Sequence, residues 1–172
     1  MRSISVALFL AAISLCLFVL PSQGALVWRP GEGWADEDVL SAAGAAMNGI
    51  YTAGFYSSFR PGVENAAFTA AFARTVDNRF KPNFQAASAY DGMTLIATTL
   101  ARTRGNSEAG AFMAALKGYR AASPRGTVAI DDSTHDIVQT IYIRRIDKLA
   151  GGQYGATEID RYDNVRDPAK PN

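Results

Sequence analysis

From Lys81 to Arg104 the sequence carries an apolar stripe that must lie against something, and the rest of the chain either supplies that cover or leaves the stripe bare. Pro82 disfavours helix at the residue before it, and Asn83 can accept from the first free backbone N–H groups, so a capped helix is predicted from there. Ala86, Ala89, Tyr90, Met93, Ile96, Ala97 and Leu100 recur at steps of three or four, the spacing of one helical face. Arg102 and Arg104 fall where the partial negative charge of a helix end favours cations.

The N-terminus has a different character. Arg2 precedes an apolar run from Val6 to Leu20, and Ser22 and Gly24 place small residues three and one positions before a cut ahead of Ala25. As a helix that run would be roughly 22 Å long, short of a hydrocarbon core of about 30 Å. Residues 1–24 are therefore expected to be a secretory signal peptide rather than a permanent anchor, with residues 25–172 the exported part. Cys16, the one cysteine, lies inside the run, so the exported part has neither disulfide nor thiolate chemistry. Without Arg2 the basic and acidic residues balance, which argues against nucleic-acid binding.

In chain order, Trp28 to Trp34 is a turn-rich loop in which Glu32 stands between two glycines, open to a ligand or simply to water. Asp36, Glu37 and Asp38 crowd the start of a helix expected to run to Met47, and Asn48-Gly49 supplies its stop. Ile50 to Tyr56 reads as a short strand, and Asn65 as the cap of a helix carrying Phe68, Phe72 and Val76. Glu108 to Lys117 forms a further short helix ended by Gly118. Ser123-Pro124-Arg125-Gly126 is a break, after which Thr127–Asp131 and Ile137–Ile146 read as strands joined by a loop. Beyond Gly151-Gly152 the tail reads as a weak strand and a frayed end.

Pro82-Asn83-Phe84, Tyr90-Asp91-Gly92-Met93, Leu116-Lys117-Gly118, Ser123-Pro124-Arg125-Gly126, Ile130-Asp131, His135-Asp136, Val138-Gln139 and Tyr142-Ile143-Arg144 follow one another in an order that resembles the C-terminal part of the branched-chain amino-acid-binding proteins, the type I periplasmic solute-binding proteins of ABC importers. The resemblance covers roughly residues 31–168. It implies an α/β chain with an incomplete type I periplasmic-binding-protein fold, amphipathic helices with a few short strands. Few runs of Val, Ile and Leu suit a parallel sheet buried on both faces, which fits a segment whose sheets come mostly from other sequence.

The resemblance also implies ligand contacts. Glu32 takes the position of the acid that holds the α-ammonium of an amino acid, Phe84 and Gln85 that of cleft-edge residues, and Phe55 and Tyr56 lie where a hinge strand nears the cleft. For the three aromatics, plain core packing is the competing reading. The implied partners are a small solute (an amino acid, an amide or a small aromatic acid) and an ABC permease of the inner membrane, and the implied location is the periplasm. No cofactor or metal is implied, and no nucleic acid. Two other readings stay open: a degenerate product that binds nothing, and an interaction module that uses uncovered helical faces.

Catalysis is not expected. His135 has Asp132, Ser133 and Asp136 for neighbours, but adjacent loop residues rarely converge on one point, and no Gly-x-Ser-x-Gly turn is present.

Overall fold

A computed structural model describes residues 35–77 and 79–170. Four helices, α1 (Glu37–Met47), α2 (Val63–Thr75), α3 (Phe84–Arg102) and α4 (Ala109–Leu116), accompany five strands. The strands are β1 (Tyr51–Gly54), β2 (Arg120–Ser123), β3 (Gly126–Ile130), β4 (Ile137–Lys148) and β5 (Tyr154–Val165). Every pairing among them is antiparallel.

β4 organises the sheet. Along one edge it pairs with β3 at Ile130↔Ile137 and then with β1 from Gly54↔Tyr142 to Tyr51↔Arg145. Its other edge carries β5 from Gln139↔Val165 to Lys148↔Tyr154. Burial alternates along β4, with Thr140, Tyr142, Arg144 and Ile146 on the inward side. Three of the four are polar, and each fixes another segment. Thr140 donates to Asp163 at 2.9 Å, the Tyr142 hydroxyl donates to the Arg125 carbonyl at 3.0 Å, and Arg144 donates to the Tyr56 carbonyl.

The apolar residue of the four, Ile146, packs with Ala35, Leu40 and Ala156 into the core under α1. α1 lies close on β5 because Gly44 has no side chain: a Cβ there would stand 2.6 Å from the Tyr154 side chain. Tyr56, Phe68 and Ala87 form a second core between α2 and α3.

Several expectations hold locally. Asn83 caps α3 by accepting from the Ala86 N–H at 3.0 Å, Glu108 caps α4 through the Gly110 and Ala111 N–H groups, and Gly118 takes the positive φ of a helix stop. Others are corrected. α2 starts at Val63 behind Gly62, and Asn65 is not its cap but a buried residue inside it. The tail forms β5, a strand as long as β4, and Arg120–Ser123 adds a strand that pairs with β3 around a Pro124-Arg125 turn.

The α3 stripe is only partly covered among the described residues: Ala86 packs against the second core and the Tyr90 ring lies 5.0 Å from Phe68, while the rest is largely open. Tyr90, Met93 and Ile96 are 46%, 64% and 42% exposed, whereas Ala87, Asp91 and Thr99 make the buried side.

The loop from β3 to β4 turns on Asp131. Its carboxylate accepts from the Ser133 hydroxyl at 2.6 Å, the Ser133 N–H at 2.8 Å and the Thr134 N–H at 3.1 Å, while Arg166 stands 2.8 Å away. These bonds, the Ser133 hydroxyl foremost, hold the carboxyl down to about 2 from its ordinary 3.8. A depressed folded-state value means the stabilisation is complete above the unfolded value and is lost as pH falls through the folded one. Acid unfolding followed by circular dichroism should therefore show a slope between pH 3.8 and about 2 that Asp131→Asn flattens.

Candidate functional site

β1 ends at Gly54, and the next two side chains diverge. Phe55 meets Phe84 edge-on, with ring centroids 6.0 Å apart and planes at 85°. Tyr56 turns the other way and is 3% exposed. Its ring packs on Phe68 at 6.1 Å, and its hydroxyl donates to Asn65 Oδ1 at 3.0 Å. Burial pushes the Tyr56 phenol well above its usual range, and the negative charge of Glu37 adds to the effect.

Phe84 opens α3, so the cap that starts the helix also fixes this aromatic. Asn83 accepts from Ala86 through its side-chain oxygen and donates from Nδ2 to Gln85 Oε1 at 3.1 Å. Gln85 is thereby held at the exposed mouth of the helix, one residue from the half-buried Phe84. The partial positive charge of a helix N-terminus lies at the same place.

Behind Phe55 stands Arg125, 5% exposed, its guanidinium carbon 4.5 Å from the Phe55 ring centroid. Arg125 Nε donates to Asp91 Oδ2 at 2.6 Å, and Nη1 donates to Gln139. Two further bonds fix its backbone: Ser123 Oγ accepts from the Arg125 N–H at 3.2 Å, and Tyr142 donates to the carbonyl. Phe55 is thus clamped between an aromatic edge and a cation whose charge is balanced within the fold. Sequence reasoning gives Arg125 and Asp91 no role because they lie 34 residues apart, one on a helix and one in a turn.

Glu37 opens α1, as expected of a helix-start acid, and its carboxylate does more: it is buried and accepts from the Ser58 N–H at 2.7 Å and the Ser57 hydroxyl at 3.3 Å. It anchors the segment that follows Tyr56. The structure therefore brings Phe55, Phe84 and Gln85 together, sets Tyr56 behind them in the core, and leaves Glu32 and the signal-like run outside the described residues. Around His135 the acids are engaged elsewhere: Asp131 accepts from Ser133 and pairs with Arg166, Asp132 Oδ1 accepts from the Gly118 N–H at 2.8 Å, and Asp136 pairs with Lys170 at 2.7 Å.

Phe55, Phe84 and Arg125 thus form one contact cluster at the capped start of α3, mounted on a mixed α/β segment. Comparison with known proteins gives the family. Residues 26–153 match the periplasmic binding protein family, and the chain belongs to it. Its members here are solute-binding proteins of ABC transporters, not enzymes. The Leu/Ile/Val-binding protein homolog 6 of Brucella abortus is 32% identical over 149 residues, which is 87% of this chain and 38% of that protein.

Among solved structures, the solute-binding protein of an ABC transporter from Rhodopseudomonas palustris BisB5, in complex with 3,4-dihydroxybenzoic acid, is 39% identical with a TM-score of 0.73. The match covers 79% of this chain and 37% of that one. A second, from R. palustris HaA2 in complex with p-hydroxybenzoic acid, is 31% identical with a TM-score of 0.69 and covers 76% of this chain and 35% of that one. The chain therefore spans under two fifths of the length of the relatives it matches.

Proposed function

We propose that this chain is the C-terminal part of the extracytoplasmic solute-binding component of an ABC importer, acting in the periplasm and delivering its solute to an inner-membrane permease. The observation that carries this reading is the Phe55–Phe84 pair beside Gln85 at the capped start of α3. Phe84, backed by the clamped Phe55, forms a wall with apolar surface for a ligand side chain or ring, and Gln85 and the helix N-terminus suit a carboxylate. Tyr56 shapes the wall from behind, and Glu32 takes the ammonium if the ligand is an amino acid.

The solute is a small molecule: an amino acid, an amide or a small aromatic acid. The benzoates bound by the two Rhodopseudomonas proteins and the branched-chain residues named for the Brucella relative mark the same range. One charge-assisted hydrogen bond contributes about 1.5–3 kcal/mol, so a ligand needs the wall and more.

Thermal unfolding of the purified chain with and without such a panel tests the reading. One ligand class should raise stability by about 2.7 kcal/mol at one hundred times its dissociation constant, and Phe84→Ala should abolish the shift. A broad melt that no ligand moves would make the chain a product that binds nothing. The exposed outer face of α3 at Met93 and Ile96 favours a second reading, an interaction module; a stable oligomer in light scattering, with no ligand response, would support it.

A further inference from the structure

Away from the Phe55–Phe84 wall, a concavity of about 370 Å³ opens where the loop entering α2, the β2–β3 hairpin and β5 converge. Three guanidinium groups line it: Arg60, Arg120 and Arg161. We propose that this concavity is a binding site for a small oxyanion of the phosphate type, which would tie those three segments together.

The charge balance supports an anion. Asp163 is the one carboxylate in the lining, and it is already occupied, accepting from Thr140 at 2.9 Å and pairing with Arg161 Nε at 3.3 Å. Arg60 is held in place by Glu158 at 3.3 Å and lies over the Tyr142 ring at 5.0 Å, so its position is fixed before any ligand arrives. Glu64 lines a neighbouring concavity shared with Arg60. The Arg120 side chain makes no ion pair or hydrogen bond among the described residues and is exposed at the rim. Even with Glu158 set against Arg60 and Asp163 against Arg161, one positive charge is left over in a concave polar pocket.

Geometry points the same way. Arg161 stands directly opposite Tyr142 in the β4–β5 register. Gly126, at φ +100°, forms part of the floor, where a Cβ would stand 2.7 Å from the Tyr142 hydroxyl and 3.7 Å from Arg60 Nη2. A bare backbone beside converging guanidinium groups lets an oxyanion approach closely, and the planar fork of arginine suits its oxygens in pairs. Thr127 and Asn164 add neutral donors to the lining.

Two-dimensional NMR of the ¹⁵N-labelled chain, titrated with inorganic phosphate against sodium chloride at matched ionic strength, tests the site. Saturable shifts confined to Gly126, Thr127 and Asn164, and to the arginine side chains of the lining, are expected with phosphate alone. Arg120→Ala removes an exposed, unpaired side chain, so the fold should persist while phosphate affinity falls about tenfold, equivalent to about 1.4 kcal/mol. Arg79→Ala, at an exposed pair with Asp77 that is no part of the lining, should leave affinity unchanged. Shifts that fail to saturate, that chloride reproduces, or that survive intact in Arg120→Ala would overturn the proposal and leave only general screening.

Discussion

Replacing Asp91 with alanine is expected to lower stability by about 3–5 kcal/mol, because it leaves a buried guanidinium without its carboxylate. Arg125 has no easy alternative. Its Nε reaches Asp91, Nη1 reaches Gln139, and the ring of Phe55 covers its face, so water cannot replace the lost oxygen without opening the contact between α3 and the β2–β3 turn. The pair itself is worth far less than its disruption. Asp91→Leu combined with Arg125→Met should recover most of the loss, since exchanging a buried ion pair for apolar residues of similar volume is often neutral or better. Urea unfolding of the two single variants and the double variant gives the coupling directly. Arg125→Met alone should also weaken any ligand response that depends on Phe55. An Asp91→Ala protein within about 1 kcal/mol of the parent would mean that the pair is solvated and does not clamp the wall.

Much of the helical layout is legible in sequence because its signals are local. Pro82-Asn83 and Glu108 mark helix starts within a few residues, and the caps form where these residues stand. The sheet is less legible. Arg-Ala-Ala-Ser at β2 contains no β-branched or aromatic residue, and it becomes a strand only because Gly126–Ile130 folds back on it. β5 carries Glu158, Asp160, Arg161 and Asp163 and, among the described residues, pairs only with β4; an edge strand of that composition resists unwanted pairing but hides its own signal.

The α3 stripe shows the same limit in reverse. Its apolar periodicity is real, yet the buried side holds Asp91 and Thr99, because the arginine that makes a buried carboxylate tolerable comes from a turn remote in sequence. Of the candidate site, the rings of Phe55 and Phe84 meet, with Gln85 the next residue along α3. The arginine behind them could not be inferred from spacing.

Asn65 supplies the second large effect and separates two roles that sequence alone confuses. At 1% exposure its amide nitrogen shares two hydrogens among the carbonyls of Ser57, Ser58 and Arg60, at 3.4, 3.2 and 2.7 Å, and its oxygen accepts from Tyr56. One side chain thus shapes the turn from β1 into α2 and sets the depth of Tyr56. Each buried partner left unpaired costs about 1–3 kcal/mol, and at least the Tyr56 hydroxyl and the Arg60 carbonyl lose their best contact, so Asn65→Ala should cost about 2–5 kcal/mol. Asn65→Asp is the discriminating variant. At a helix N-cap aspartate replaces asparagine almost freely, whereas here a carboxylate would keep the bond from Tyr56 but turn a second acceptor towards three carbonyl oxygens. Chemical unfolding should therefore rank Asp no better than Ala. A nearly native Asn65→Asp protein would restore the capping role and detach Asn65 from the turn that carries Phe55 and Tyr56 to the site.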